Sequence, residues 1–477
     1  TFMTATTPML ATEILANHKS DPHRAISRRR SLIIGASSVA TVLTACQVPG
    51  TPGTPSADTA GANKPAGSAA IEVRIQTVTQ SDNGGWITEA LNQDIDGRKA
   101  KQPNVTVKVE TFGAWTNTYL PDIDKVFASG TVGDLVWYPP RHRSHLLWGS
   151  RRNLVRDLTS QLRSMKFDLA QFFKASIDQN SDGGKLYFLP FISEPVCPII
   201  AINRTAAESA GLTIPTDDWT FDDLAEWGQK AAGRGLFGYF RADSGVDAFT
   251  SAPFLRQWGV EPVDPTGKKA TFADTKDAFI QALTYRANMV NKWNVSPPVK
   301  PQGPNYMELF GTQQKLLAMD GWPVRIGGLP KQFKSINIEF VLTPTVRKGD
   351  KRRTLLNEHA YALTKGSKNP DEALSVLTWM CGKEMGVQGV IQGFKGPVSR
   401  PDVWTDPRIL DRAPIYKRLR PLMENVESDY FVANYRGEEF DAATNWAAAE
   451  AGDVTPAQMA DTIQRQAQEV LDKQATA

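Results

Sequence analysis

A histidine pair, three cysteines and many carboxylates are the residues of this chain that could carry out chemistry. His142 and His145 are three positions apart, but no His-Glu-x-x-His motif or Cys/His cluster accompanies them, so this spacing does not indicate a metal site. The sequence also contains no Gly-x-Ser-x-Gly nucleophile turn and no Gly-x-x-x-x-Gly-Lys-Ser/Thr phosphate loop. We therefore predict a protein without a metal, a cofactor or catalytic residues.

Cys46 is the cysteine whose surroundings indicate a specific reaction. It ends the segment Leu-Thr-Ala-Cys at 43–46, which resembles the bacterial lipobox. In a lipobox the thiol is acylated and the chain is cut just before the cysteine. Arginines at 28–30 and a short apolar stretch precede it, and that stretch is well below the roughly 20 residues that span a membrane.

Residues 1–46 are therefore predicted to be an export signal, of either the twin-arginine or the ordinary secretory type. Residues 47–70 consist largely of Pro, Gly, Ser, Thr and Ala, which predicts a flexible tether. Cys197 and Cys381 are predicted to be buried free thiols, with a disulfide between them as the alternative.

Alternating strands and helices must position any site in the rest of the chain. Residues 71–77 and 104–110 alternate as strands do, and helical spacing between them predicts a β-α-β unit with a parallel sheet. A third short strand is predicted at 134–138, and Thr220 and Thr455 carry the signals of helix N-termini. The fold class is therefore α/β, and a length of 477 residues predicts at least two domains. A formal net charge of +3 argues against a nucleic-acid-binding protein.

Several segments follow one another in the order found in one protein family. They are residues 184–190, 199–204, 210–224, 310–322, 364–373, 393–401 and 452–460. Together they resemble the family 1 extracellular solute-binding proteins of ABC importers, the group similar to maltose-binding protein. Ile202, where the family usually has Tyr, and the Asn-Glu-His loop at 357–359 depart from the pattern and leave the identity of the ligand open.

The resemblance implies the two-lobed type II periplasmic-binding-protein fold, with a hinge and a ligand held between the lobes. Lobe 1 is expected to hold residues 71–196 and 354–395, and lobe 2 residues 197–353 and 396–477. It further implies a monomer, not an enzyme, that delivers a small ligand, most simply a sugar, to the permease of an ABC importer. The lipid on Cys46 would hold it at the outer face of the cytoplasmic membrane.

The resemblance and the strand-end positions together select the candidate ligand contacts. Trp322 stands between Gly321 and Pro323 at a predicted strand end and matches a sugar-stacking Trp of the family. Tyr138 ends the third strand and Arg141 follows it, and ligands of open α/β sheets bind at such carboxyl ends. The remaining candidates are Glu194 on the first crossing between lobes, Asp82 and Asn83 after the first strand, and Trp258, Glu358 and Arg400.

Two alternative functions remain open at this stage. A secreted carbohydrate-active enzyme needs a pair of carboxylates at a suitable separation, which a sequence does not reveal. A sensor with the same fold but no transport role is the second alternative. Binding of oligosaccharides without turnover would distinguish the leading function from the enzyme.

Overall fold

The computed structural model describes residues 70–77, 83–111, 119–138, 143–242, 245–298, 305–392, 398–430, 432 and 437–473. All of them lie in the unit formed by residues 66–477. The predicted export signal, Cys46 and all but the last residue of the predicted tether lie outside the described residues. Within the described residues, no helix is both long and apolar enough to cross a membrane.

The strands belong to two main sheets and one small hairpin. They are β1 Ile71–Thr77, β2 Val105–Thr111, β3 Leu135–Tyr138, β4 Ser181–Asp182, β5 Lys185–Leu186, β6 Phe188–Pro195, β7 Ile199–Asn203, β8 Phe237–Phe240, β9 Leu316–Gly321, β10 Ile338–Leu342 and β11 Leu356–Leu363.

Helices connect the strands and cover the sheets. They are α1 Asn83–Asn92, α2 Arg98–Lys101, α3 Tyr119–Ala128, α4 Arg143–Arg151, α5 Thr159–Ser164, α6 Lys174–Gln179, α7 Arg204–Ser209, α8 Phe221–Ala232, α9 Ala252–Gln257, α10 Lys276–Asn291, α11 Pro323–Ile326, α12 Leu329–Gln332, α13 Pro370–Met380, α14 Lys383–Gln392, α15 Pro401–Trp404, α16 Pro407–Arg412, α17 Ile415–Met423, α18 Gly437–Ala443, α19 Ala447–Ala451 and α20 Pro456–Asp472.

The first sheet has the strand order β2-β1-β3-β11-β6. β1 pairs in parallel with β2 and β3, as the predicted β-α-β unit requires, because α1 connects β1 to β2. β11 comes much later in the chain and inserts antiparallel between β3 and β6. The first sheet is therefore completed only by a strand that the chain contributes after passing through the second sheet.

The second sheet has the order β10-β7-β9-β8, with β8 parallel to β9 and the other pairs antiparallel. Alternate residues of β7 enter different apolar clusters: Ile199 and Ala201 face the cluster that includes the first sheet, whereas Ile200 and Ile202 face the cluster of α8 and α10. Both faces of this sheet are therefore covered, and its strands are mainly apolar, with Asn203, Asp320 and Glu339 as exceptions. The mixed α/β fold that the sequence predicted is confirmed.

Residues 398–423 pack on the side of the first sheet, although the sequence analysis assigned them to lobe 2 from residue 396. Trp404 lies 6.0 Å from Phe173 and 5.4 Å from Tyr416, measured between ring centroids. Arg418 of α17 also pairs with Asp217 near the second sheet. The reason for the difference is that α15 to α17 use their apolar side chains to cover β6 and α14, and the chain joins the second cluster only from Tyr430 onward.

Candidate functional site

Three backbone hydrogen bonds join the segments that run from one sheet to the other. The Val196 N–H donates to the Leu355 carbonyl at 2.9 Å, immediately after β6 and before β11. The Leu356 N–H donates to the Glu427 carbonyl at 2.9 Å, and the Glu427 N–H donates to Thr354 at the same distance. These three stretches, residues 193–198, 354–357 and 427, are called the crossing segments below.

One face of the crossing segments carries Glu194, Val196 and Asn357. Glu194 and Val196 are two residues apart on an extended chain, so their side chains point to the same side. The Asn357 amide donates a 3.3 Å hydrogen bond to Glu194 Oε1, and Glu194 is only 5% exposed. Val196 packs with Cys197, Ala252 and Leu355 in a small apolar cluster against which Trp322 rests. We call this side the ligand side.

Trp322 is fixed by the way in which β9 ends. β9 finishes at Gly321, Trp322 has extended backbone angles, and Pro323 starts α11 at a position where proline needs no N–H partner. The Trp322 ring is half-buried. It packs against the small cluster around Val196 and also against the apolar cluster of α8 and α10. An aromatic ring held in this way is suited to stacking on the apolar face of a sugar.

Asp320 and Arg241 stand beside Trp322 at the carboxyl ends of two parallel strands, β9 and β8. Asp320 is 2% exposed, and it accepts 2.7 Å hydrogen bonds from the Tyr239 hydroxyl and from the Ala242 N–H. The Arg241 Nε donates to Glu450 at 2.8 Å. The sequence analysis missed this polar group, although its position at strand ends follows the rule that led to Tyr138.

The opposite face of the crossing segments carries a chain of buried hydroxyls that ends on Glu358. The Ser193 Oγ donates to Glu358 Oε2 at 2.7 Å, Ser176 Oγ lies 3.3 Å from Ser193 Oγ, and Ser399 bonds to Ser176. Burial raises the pKa of Glu358 to about 8, although the serine hydroxyls oppose that shift. Glu358 is therefore an uncharged carboxyl group at neutral pH. We call this side the rear side.

A cavity of about 610 Å³ has lining residues that bond to α6 and to the residue after it, and we call it the rear cavity. The Arg143 Nη2, on its first-sheet wall, donates to the carbonyl of Ser181, which follows α6. On the other wall, the Asp429 N–H donates to Gln179 Oε1 of α6 at 3.1 Å. Its other charged residues form ion pairs or turns of their own: Glu261 with Arg256, Asp274 with Lys269, and Asp264 with the amides of the turn at 264–269. Most of its charged groups therefore have partners, whereas Arg143 Nε and Thr275 Oγ1 are buried without a hydrogen-bond partner among the described residues.

Tyr138 was predicted to stack on a ligand, and the structure places its ring in the core, so a contact with ligand stays a prediction. Its ring is fully buried at the end of β3, 4.7 Å from Phe188 and 6.1 Å from Trp148. A Cβ added to Gly149 would lie 2.2 Å from the Tyr138 hydroxyl oxygen, so α4 closes directly over the ring. The side chain of Tyr138 points into the core because the last residue of β3 faces the helix layer.

Three further candidates have structural positions. Trp258 lies 6.0 Å from Phe221 and 5.9 Å from Tyr285 between ring centroids, so it belongs to an aromatic cluster within the second core. Arg400 forms a bidentate pair with Asp402, at 3.0 and 2.9 Å, which holds its guanidinium on the first-sheet side. Glu358 is completely buried on the rear side. A ligand contact by any of the three stays a prediction.

The other predicted contacts have different outcomes. Trp322 and Glu194 lie on the ligand side, where their role in binding stays a prediction. Asn83 begins α1, and Asp82 and Arg141 lie outside the described residues. Cys197 and Cys381 are both buried free thiols, as predicted. Within the described residues, no group of three or more His, Cys, Asp or Glu side chains is placed to hold a metal ion.

Comparison with known proteins gives the same fold. The family model described as bacterial extracellular solute-binding protein matches residues 84–387. The structure of a cyclic alpha-maltosyl-1,6-maltose binding protein from Arthrobacter globiformis has 17% identity and a TM-score of 0.68, covering 84% of this chain and 99% of that one.

Two further solved structures are similar to the same extent. The GacH receptor of Streptomyces glaucescens, studied with acarbose, has 14% identity and a TM-score of 0.68, with 85% of this chain and 100% of that chain covered. UgpB from Mycobacterium tuberculosis in complex with glycerophosphocholine has 16% identity and a TM-score of 0.68, with 85% and 99% covered.

Proposed function

The chain belongs to the family of bacterial extracellular solute-binding proteins, and from this membership we propose that it captures a carbohydrate between its two sheets and delivers it to the permease of an ABC importer. Trp322 is the observation that carries the choice of ligand class. Its ring is half-buried, fixed between a strand end and a helix start, and accompanied by buried polar groups. A sugar presents an apolar C–H face to such a ring and hydroxyl groups to the surrounding polar atoms.

The ligand side, and not the larger rear cavity, is the proposed place of binding. Glu194, Asn357 and Asp320 offer oxygen and amide atoms that suit sugar hydroxyls, and Trp322 offers the stacking surface. The rear cavity combines ion pairs with the buried Tyr430. Binding a neutral sugar there would remove water from charges that already form ion pairs. The free energy of that desolvation would exceed what contacts with the sugar contribute.

The similar structures support the carbohydrate class. One is a binding protein for a cyclic maltosyl saccharide and another was solved with acarbose, whereas UgpB was solved with glycerophosphocholine. The lipobox-like segment at Cys46 supports a further part of the proposal, in which the protein is exported and anchored by a lipid to the outer face of the cytoplasmic membrane.

A thermal-shift screen of the full chain tests the ligand class directly. The screen uses neutral mono- and oligosaccharides, polyols and sugar phosphates, with glycerophosphocholine as the comparison that is not a carbohydrate. A ligand at 100 times its Kd stabilises the native state by about 2.7 kcal/mol, which a melting curve detects. Stabilisation by glycerophosphocholine or sugar phosphates alone would reject the neutral carbohydrate, and stabilisation by no compound would reject the proposed ligand class.

Product analysis after incubation with the bound saccharide separates the proposal from its enzymatic alternative. A binding protein returns the saccharide unchanged, whereas a glycosidase releases shorter sugars. The sensor alternative shares the binding result, and uptake of the labelled saccharide by cells with and without the gene distinguishes it.

A further inference from the structure

A small cavity continues from the ligand side into the core of the second sheet. Its volume is about 60 Å³, and we call it the inner chamber. Apolar side chains from α8, α9 and α10 form most of its wall: Phe221, Leu224, Phe254, Tyr285, Met289 and Val290. Cys197, which belongs to the cluster beneath Trp322, lines it as well. The chamber is therefore adjacent to the residues that are proposed to hold the sugar ring.

The lining residues differ in their exposure. Phe221, Leu224 and Tyr285 are buried, whereas Arg241, Thr250 and several other lining residues, Val290 among them, are half-buried. Arg241 follows directly after β8, at the strand end that faces the ligand side. A group attached to a ligand at Trp322 would therefore enter past Arg241.

The charges on the chamber wall balance one another. Arg241 pairs with Glu450 at 2.8 Å, and Glu450 has a side-chain exposure of only 3%. Asp320 supplies a second negative charge, and Arg286, whose guanidinium carbon lies 4.4 Å from the centre of the Phe254 ring, supplies a second positive one. With no net charge on the wall, the low-dielectric chamber disfavours an ionic group and favours an uncharged one.

The volume limits the size of that group. An apolar protein cavity of about 150 Å³ holds benzene, which has six heavy atoms. By the same ratio the 60 Å³ of the inner chamber accommodates about two or three heavy atoms. An acetyl group has three, with a methyl for the apolar wall and a carbonyl oxygen for the guanidinium donors.

We infer that the inner chamber receives a short acyl group of the ligand, as in an N-acetylated amino sugar whose ring rests on Trp322. This inference rests on the proposed function, because it assigns a substituent to the carbohydrate that the ligand side binds. The rest of the sugar stays at the mouth, where Glu194 and Asn357 can meet its hydroxyl groups.

Matched sugar pairs test the inference by isothermal titration of the full chain. The pairs are N-acetylglucosamine with glucose, N-acetylgalactosamine with galactose, N-acetylmannosamine with mannose, and N,N′-diacetylchitobiose with cellobiose. We expect the tightest ligand to be acetylated and to bind at least tenfold more tightly than its partner, since a few apolar atoms in a fitted pocket give roughly 10- to 200-fold discrimination.

Filling the chamber supplies the control. Val290→Phe places a phenyl ring at a half-buried wall position. Ile280→Phe makes the same kind of change on the same helix but outside the lining residues. Val290→Phe should remove most of the preference for the acetylated sugar, and Ile280→Phe should retain it. Melting curves confirm that each variant is folded, and Leu224→Phe fills the chamber from α8 if Val290→Phe unfolds the protein.

The possible results separate the two proposals. If saccharides bind but the tightest is not acetylated, or if filling the chamber weakens both members of a pair equally, the inference is wrong and the proposed function stands. If none of these sugars and none of the saccharides in the thermal-shift screen binds, the proposed function fails and the inference fails with it.

Discussion

Glu358 on β11 lies opposite Ser193 on β6, and its carboxyl group accepts a 2.7 Å hydrogen bond from the serine hydroxyl without a cation to compensate for its burial. Among the described residues, the second carboxyl oxygen, Oε1, has no hydrogen-bond partner. A carboxylate in this position would lose its hydration in exchange for contacts with the hydroxyls of Ser193 and Ser176 only. The structure therefore favours the protonated acid, with a pKa of about 8.

The stability of the protein should fall as pH rises from 4.5 to about 8 because of Glu358. In that range the native state keeps a proton that the unfolded chain releases near the ordinary pKa of 4.5, so each pH unit removes about 1.4 kcal/mol of unfolding free energy. Glu358→Gln cannot ionise, and it should reduce this slope. Urea unfolding of both proteins at pH 5, 6, 7 and 8 measures the difference. Equal slopes would show that Glu358 is ionised in the native state.

Trp322→Ala should weaken binding of the identified saccharide by roughly thirty- to a hundredfold, because the variant loses both stacking and buried apolar area. The unfolding free energy without ligand should change much less, since the ring is half-buried. Trp404→Ala provides the matched control: its ring is fully buried and packs against Phe173, so about 3–5 kcal/mol of stability should be lost while Kd is retained. The same profile for both variants would remove Trp322 from the site.

Tyr138→Phe should stabilise the protein by about 1 kcal/mol and leave ligand affinity unchanged. The Tyr138 hydroxyl is buried and has no hydrogen-bond partner among the described residues, so removing it removes an uncompensated desolvation cost. Chemical denaturation and titration of one preparation test both parts. A loss of affinity would show that Tyr138 reaches the ligand after all.

Cys46→Ala should move the protein from the membrane fraction to the soluble fraction, because the variant lacks the thiol that a lipobox presents for acylation. Cys197→Ala retains Cys46 and serves as the control, since Cys197 is a buried free thiol of the folded part. Fractionation of cells followed by immunoblotting measures the distribution. A Cys46→Ala protein that still sediments with membranes contradicts the lipid anchor.

Binding of the identified saccharide should reduce the radius of gyration, because a ligand held by both sheets draws them together about the crossing segments. Small-angle X-ray scattering with and without saturating ligand measures the change. Trp322→Ala at the same saccharide concentration provides the control for effects of the sugar on the solvent. An unchanged radius at confirmed saturation would reject closure without affecting the evidence for binding.

The sequence predicted best those features that depend on neighbouring residues. The capping boxes of Thr220 with Asp223 and of Thr455 with Gln458 are present, because each requires only residues three positions apart. Trp322 lies at a strand end because β9 ends at Gly321 and Pro323 begins the next helix.

Features that depend on distant segments could not be predicted in the same way. The sequence predicts correctly that an aromatic residue ends β3, but it does not show to which face of the sheet the side chain points. Tyr138 was therefore predicted to contact the ligand, whereas the structure places its ring in the core. The environment of Glu358 needs Ser176, Ser193 and Ser399, which three separate segments contribute. Asp320 was missed because a single aspartate in a sequence has nothing to distinguish it from the many others.

The place of β11 in the first sheet has a consequence for how the protein is made. All strands of the second sheet lie between residues 199 and 342, so a ribosome has delivered the whole of that sheet before β11 emerges. Until then the inner edges of β3 and β6 are unpaired, because the strand that pairs with both of them is Leu356–Leu363. The first sheet is therefore begun first and completed last, and the nascent chain carries two open strand edges for about a third of its translation, from residue 195 to residue 356.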